Sequence, residues 1–138
     1  MPHRNYHRIA WIALLLVMVV IVFGAFVRLS NAGLSCPDWP TCYGRITWPV
    51  HEHEIAHAND AFERPVESQK AWREQVHRHL AGILGLMVFT LALLGSRKVR
   101  GGKLIVLGAS ALVAAAIPLY MSGEHVWASV LAIAGEVM

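Results

Sequence analysis

Three groups of side chains in this 138-residue sequence have types and spacings that can do chemistry. The first is Glu74 and His77, which lie one turn apart on the same face if the segment is helical. Imidazole can bind a haem iron through one nitrogen while a neighbour orients the other. A carboxylate at this distance can serve as that neighbour or accept a proton. The competing reading makes His77, Arg78 and His79 interfacial residues whose polar heads reach water. His79 is two residues from His77, points to a different face and takes the interfacial reading.

The second group is Cys36 and Cys42, with Pro37, Asp38, Trp39, Pro40 and Thr41 between them. Outside the cytoplasm such a pair is expected to oxidise, and the two prolines favour the turn that a bridge needs. Two alternatives stay open. One is exchange with a partner thiol, although redox pairs usually have two intervening residues. The other is zinc shared with His51, His53 and His57, although a zinc site wants about four ligands in defined spacing.

The third group is the remaining histidines and aromatics. His51, His53 and His57 alternate with Glu52 and Glu54 in a polar stretch and read as a solvated loop. His3 and His7 belong to a basic tail, and His125 has only Glu124 beside it. Trp39, Tyr43 and Trp48 suit an aromatic belt at the headgroups, or the roof of a flat apolar ligand.

These residues must be positioned by membrane helices. The chain is 56% hydrophobic and only 15% charged, where a soluble domain is about a quarter charged. The charges lie between long apolar runs, as hydrocarbon demands. Ile9–Val27 holds 19 residues without a charge, about 29 Å as a helix and close to the roughly 30 Å hydrocarbon core. It is too long for a signal-peptide core, and no small-residue cleavage site follows it. A second span covers about 80–94, with 76–79 able to extend it outward; Gly82 and Gly85 suit close helix packing. A third covers 104–121, with Pro118 near its end. The apolar run 126–137 is too short to cross, and reads as an interfacial segment or a partial fourth helix. The expected fold is all-α, a transmembrane helical bundle forming one membrane domain over 1–138.

Charge sets the orientation. Arg4 and Arg8 precede the first span without an acid, and 96–103 carries four basic residues without an acid. The segment 28–74 carries five basic residues against seven acidic ones. The basic-only segments belong in the cytoplasm and the loop 28–79 outside. The net charge of +3 does not suggest nucleic acid, because the cations flank apolar runs and form no stripe with interleaved aromatics.

The run Val27-Arg28-Leu29-Ser30-Asn31-Ala32-Gly33-Leu34-Ser35-Cys36-Pro37-Asp38-Trp39-Pro40-Thr41-Cys42-Tyr43-Gly44 resembles the first-span exit of the haem A synthases, the cytochrome oxidase assembly proteins. Glu74-x-x-His77-Arg78 followed by Ala81-Gly82-x-x-Gly85 resembles their second-helix entrance. The resemblance covers about residues 9–95. It implies an eight-helix protein of two four-helix halves that oxidises a methyl group of haem O to formyl. It implies His77 as haem iron ligand, Glu74 as the catalytic carboxylate, and Cys36–Cys42 as an outer-loop disulfide. Haem O is the implied substrate and haem b a second candidate cofactor. Haem O synthase and cytochrome oxidase subunits are candidate partners, and the plasma (inner) membrane is the implied location.

The sequence departs from that pattern after Ala114, where no fourth-helix histidine can be carried onto His125, and a second half is missing. The chain therefore reads as a fragment, a truncated product or one with a diverged end. Low or no synthase activity is expected from it alone. The alternative function is a non-catalytic membrane assembly protein that docks through its outer cysteine loop, needing Cys36 and Cys42 but not Glu74 or His77.

Overall fold

The computed structural model describes residues 2–137, with side chains from Arg4 onward; the side chain of His3 lies outside the described residues. The regular secondary structure of the described residues is helical, without a strand. In chain order they form α1 (Pro2–Leu29), α2 (Glu52–Ala61), α3 (Ser68–Gly95), a short 3-10 turn at Ser96–Lys98, α4 (Gly102–Met121) and α5 (His125–Val137). Among the described residues, three helical stretches are long and apolar enough to cross a membrane: Arg4–Leu29, Ser68–Lys98 and Gly102–Met121. The expected all-α membrane architecture is therefore what the chain adopts.

The chain divides into two compact units, His3–Met87 and the residues from Val88 onward. In the first unit, α1 ends where Asn31 turns left-handed at φ 50°. There the Ala32 amide donates to the Val27 carbonyl at 3.0 Å, which satisfies a carbonyl that the helix end leaves free. Arg28 in the last turn complements the negative end of the helix dipole. The loop from residue 30 to 67 folds into a small cap with its own core of Cys36, Cys42, Tyr43 and Ala58 against Ala71 of α3. Trp48, Phe62 and Val66 pack around that core.

Two features of the cap differ from the sequence expectation. The histidine-rich stretch is the helix α2, not a loop. Its third residue, Glu54, accepts from the His51 amide at 3.1 Å and so closes the helix start. Tyr43 is buried inside the cap, not placed in an aromatic belt; its hydroxyl lies 3.0 Å from the Ser35 carbonyl and 3.1 Å from that of Pro65. Trp39 is 51% exposed and remains at the surface.

Helix α3 begins at Ser68, well before the apolar run. Its polar first turns are helical because they carry a buried face of their own, Ala71, Glu74 and Gln75, against the cap. No heavy atom within 4 Å would meet a Cβ on Gly82 or Gly85.

In the second unit, α4 and α5 form a helical hairpin through a turn at Gly123, whose φ is 88°. Gly135 seats α5 against α4: a Cβ there would stand 2.8 Å from the Ala109 carbonyl. The apolar run 126–137 is thus a helix that packs back along α4.

Candidate functional site

The site is built where the cap meets one turn of α3. Asp38 organises the loop between the cysteines. It accepts from the Thr41 hydroxyl, from the Tyr43 amide at 2.6 Å and from the Gly44 amide at 2.9 Å. Burial acts to raise the Asp38 carboxyl, but these hydrogen bonds outweigh it and hold it below the ordinary 3.8. Tyr43 and Gly44 take left-handed backbone at φ 54° and 72°. The Cys42 amide then donates to the Arg45 carbonyl at 2.8 Å, closing the turn. Cys36 and Cys42 are joined as a disulfide with their Cα atoms 4.8 Å apart, so neither sulfur is a thiolate for zinc. Cys42 is fully buried and Cys36 nearly so.

Three side chains of α3 grip this loop. Glu74, 5% exposed, accepts from the Cys36 amide at 2.8 Å through one oxygen. Its other oxygen takes the Arg78 guanidinium at 2.6 Å. Arg78 also donates to the carbonyls of Asp38 at 2.6 Å and Thr41 at 2.9 Å. Gln75, 1% exposed, donates to the Ile46 carbonyl at 2.8 Å and to that of Pro40 at 3.3 Å. The loop between the cysteines has no regular backbone pairing of its own beyond its terminal turn, so these side chains satisfy carbonyls that burial would otherwise leave costly.

His77 serves a different neighbour. Its ring lies against α1 at Gly24, where a Cβ would stand 2.9 Å from the imidazole Cε1. Phe23 stands beside it with ring centroids 6.3 Å apart. Its Nδ1 is buried without a hydrogen-bond partner, and the ring lines a cleft of 430 Å³ with Gly24, Val27, Asn31 and Leu34. No hydrogen bond joins Glu74 to His77 among the described residues. The structure therefore brings Glu74 together with Cys36 and Cys42, and sets His77 on the α1 side of the same turn. His79 is exposed.

Arg78, Gln75 and Gly24 carry much of this geometry; Arg78, an interfacial residue reaching water on the sequence reading, instead holds Glu74 and two loop carbonyls, while Gln75 and Gly24 have no role in that reading. The spacing of Glu74 and Arg78, four apart on a helix, was the available signal for one of them. Nothing local marks Gln75 or Gly24, whose partners lie on other elements.

A family model described as cytochrome oxidase assembly protein matches residues 7–123. The chain is 49% identical over 81 residues to a heme A synthase of Shewanella oneidensis, covering 58% of this chain and 24% of that one. It is 34% identical over 113 residues to a heme A synthase of Cereibacter sphaeroides, covering 69% of this chain and 29% of that one. A heme A synthase of Geobacillus kaustophilus is 29% identical over 90 residues, covering 65% of this chain and 23% of that one. The chain thus spans roughly a quarter of the length of these relatives. No solved structure matches it significantly.

Proposed function

The chain belongs to the cytochrome oxidase assembly protein family, and from that footing we propose that it contributes a haem-holding face to a haem A synthase-like membrane oxidoreductase. The observation that carries this is His77. An imidazole seated where only a glycine leaves room, with its ring lining an open cleft, would be able to hold a haem iron. The substrate under this reading is haem O, with haem b a second candidate. The bound haem would supply the methyl group to be oxidised to formyl, with water giving the formyl oxygen, an acceptor outside this chain taking the four electrons, and four protons released to water.

The chain's own residues do the holding. His77 would hold the haem, Phe23 and Val27 beside it would exclude water, and the disulfide-bonded cap would cover the outer end. Glu74 is the carboxylate of this site. In the closed cap both of its oxygens are engaged, by Cys36 and Arg78. Its catalytic use at the substrate therefore requires one of those contacts to open, and until then it positions the cap.

The location that fits is the plasma (inner) membrane, with the amino terminus in the cytoplasm and the segment 28–79 outside. The basic segments flanking the spans support this orientation, and so does a disulfide in the outer segment. Haem O synthase and cytochrome oxidase subunits are the partners this function calls for.

The test is a haem titration of the detergent-purified chain followed by its absorbance bands. His77→Ala is expected to weaken haem binding at least about tenfold. Bands and affinity unchanged in that variant would remove His77 from the iron.

A further inference from the structure

We propose that His53 and His57 form a two-imidazole site for a divalent transition-metal ion on the outer cap. The residues read His53-Glu54-Ile55-Ala56-His57 and lie within α2. Positions four apart on a helix are neighbours, with Cβ atoms about 5–6 Å apart. That is the spacing at which two histidines one turn apart share a metal ion. Both line a single cavity of 540 Å³, together with Tyr43, Arg45 and Phe62. Both are exposed, so an ion can reach them from water. Neither side chain makes a hydrogen bond or ion pair among the described residues; the His53 ring stacks on that of His51 with centroids 5.7 Å apart, a contact that leaves its nitrogens free for a metal.

The electrostatics favour a cation. Helix α2 carries Glu52, Glu54 and Asp60 and no Lys or Arg. The cation in the cavity wall, Arg45, is neutralised by Glu54 at 2.7 Å. Imidazole ligands suit zinc, copper and nickel in their divalent states.

The same five-residue pattern binds zinc in metal-dependent hydrolases, with the central glutamate as general base. That chemistry does not transfer here. One Glu54 oxygen accepts the Val50 and His51 amides at 3.0 and 3.1 Å, and the other pairs with Arg45. Glu54 therefore caps the helix that presents the histidines. No group of three or more His, Cys, Asp or Glu is placed around a metal position among the described residues. The ion is held by two protein ligands with water in its other positions, an open binding site and not a hydrolytic centre. This inference is independent of the haem assignment, because α2 lies outside the membrane-spanning helices.

The test titrates the detergent-purified chain, free of any polyhistidine tag, with Zn(II) against a chromogenic chelator, and records Cu(II) electron paramagnetic resonance on the same samples. Wild type is expected to bind one equivalent that His53→Ala/His57→Ala loses, with a nitrogen-ligated Cu(II) signal that disappears in parallel. Each single variant is expected to weaken binding about tenfold or more. His51→Ala is expected to change affinity less than about twofold. Because both ligands are exposed, the double variant is expected to keep its helicity and its disulfide. The same zinc stoichiometry and affinity in the double variant would overturn the site. So would a loss in His51→Ala as large as that in His53→Ala.

Discussion

The Glu74 carboxylate accepts the backbone amide of Cys36 at 2.8 Å across a sequence separation of 38 residues, and its other oxygen holds Arg78 at 2.6 Å. One buried side chain on a membrane helix therefore fixes the position of a disulfide loop outside it. Glu74→Ala leaves the Cys36 amide and the Arg78 guanidinium without their acceptor. Since Arg78 keeps two carbonyl partners and is 21% exposed, the cost is expected near the lower end for broken buried pairs, about 2–3 kcal/mol. Glu74→Gln keeps an acceptor for the amide and is expected to lose about half as much. Chemical denaturation followed by circular dichroism, together with limited proteolysis of residues 30–66, reports both. Proteolysis as slow in Glu74→Ala as in wild type would show that the grip does not hold the cap.

The disulfide closes a loop with a sequence separation of 6. For so short a loop the chain-entropy model gives about 2 kcal/mol. Cys36→Ser/Cys42→Ser is expected to lower cap stability by that amount while α1 and the apolar part of α3 stay helical. Because Cys42 is fully buried, reduction of the native protein by a mild dithiol is expected to follow cap opening. The measurement is the rate of thiol appearance with and without subdenaturing urea. A rate that tracks dithiol concentration alone, with no response to urea, would contradict it.

The spans, the disulfide and the residues Glu74 and His77 were legible in the sequence because each has a local signature: an apolar run, a cysteine pair in a turn-rich segment, a helical spacing of three. The cap was not. Its core depends on Tyr43, Ala58 and Ala71 meeting from three separate segments, and no periodicity in 30–67 announces that. Helix α2 was missed because most of its residues are polar, its few apolar ones form no long stripe, and only Ala58 is buried; its pattern of two histidines four apart acquires meaning only once the segment is known to be helical. Glu74 and His77 were correctly expected one turn apart. Their division of labour, one toward the cap and one toward α1, depends on where the neighbours stand, and spacing alone does not hold that information.

Gly24 is where α1 admits the His77 ring. A Cβ at this position meets Cε1 at 2.9 Å and Nε2 at 3.2 Å, so Gly24→Ala must displace the imidazole or part the helices. Overpacking of this kind costs about 1–3 kcal/mol. The variant is expected to fold with reduced stability and, under the proposed role of His77, to bind haem more weakly, even though Gly24 has no ligating atom. Gly82→Ala is the control, since nothing lies within 4 Å of its position, and is expected to raise stability by up to about 1 kcal/mol through helix propensity. Equal effects from the two variants in a haem titration would separate Gly24 from the imidazole.

The cap should weaken in acid for a reason that can be assigned. Asp38 is held below its ordinary 3.8 by the Thr41 hydroxyl and the amides of Tyr43 and Gly44, against the opposing effect of burial. Glu54 is held below its ordinary 4.5 by the amides of Val50 and His51. A carboxyl whose folded value lies below its unfolded one binds fewer protons when folded. Its contribution is then fully present above the unfolded value and is lost as pH falls through the folded value. Cap stability is therefore expected to be flat from about pH 7 to 5 and to decline below about pH 4.5. Asp38→Asn is expected to be less stable at neutral pH, because an amide offers one acceptor where the carboxylate used two, and to show a shallower acid decline. Proteolysis of residues 30–66 by an acid-active protease across pH 6 to 3 measures this. An acid slope as steep in Asp38→Asn as in wild type would assign the decline to other carboxylates.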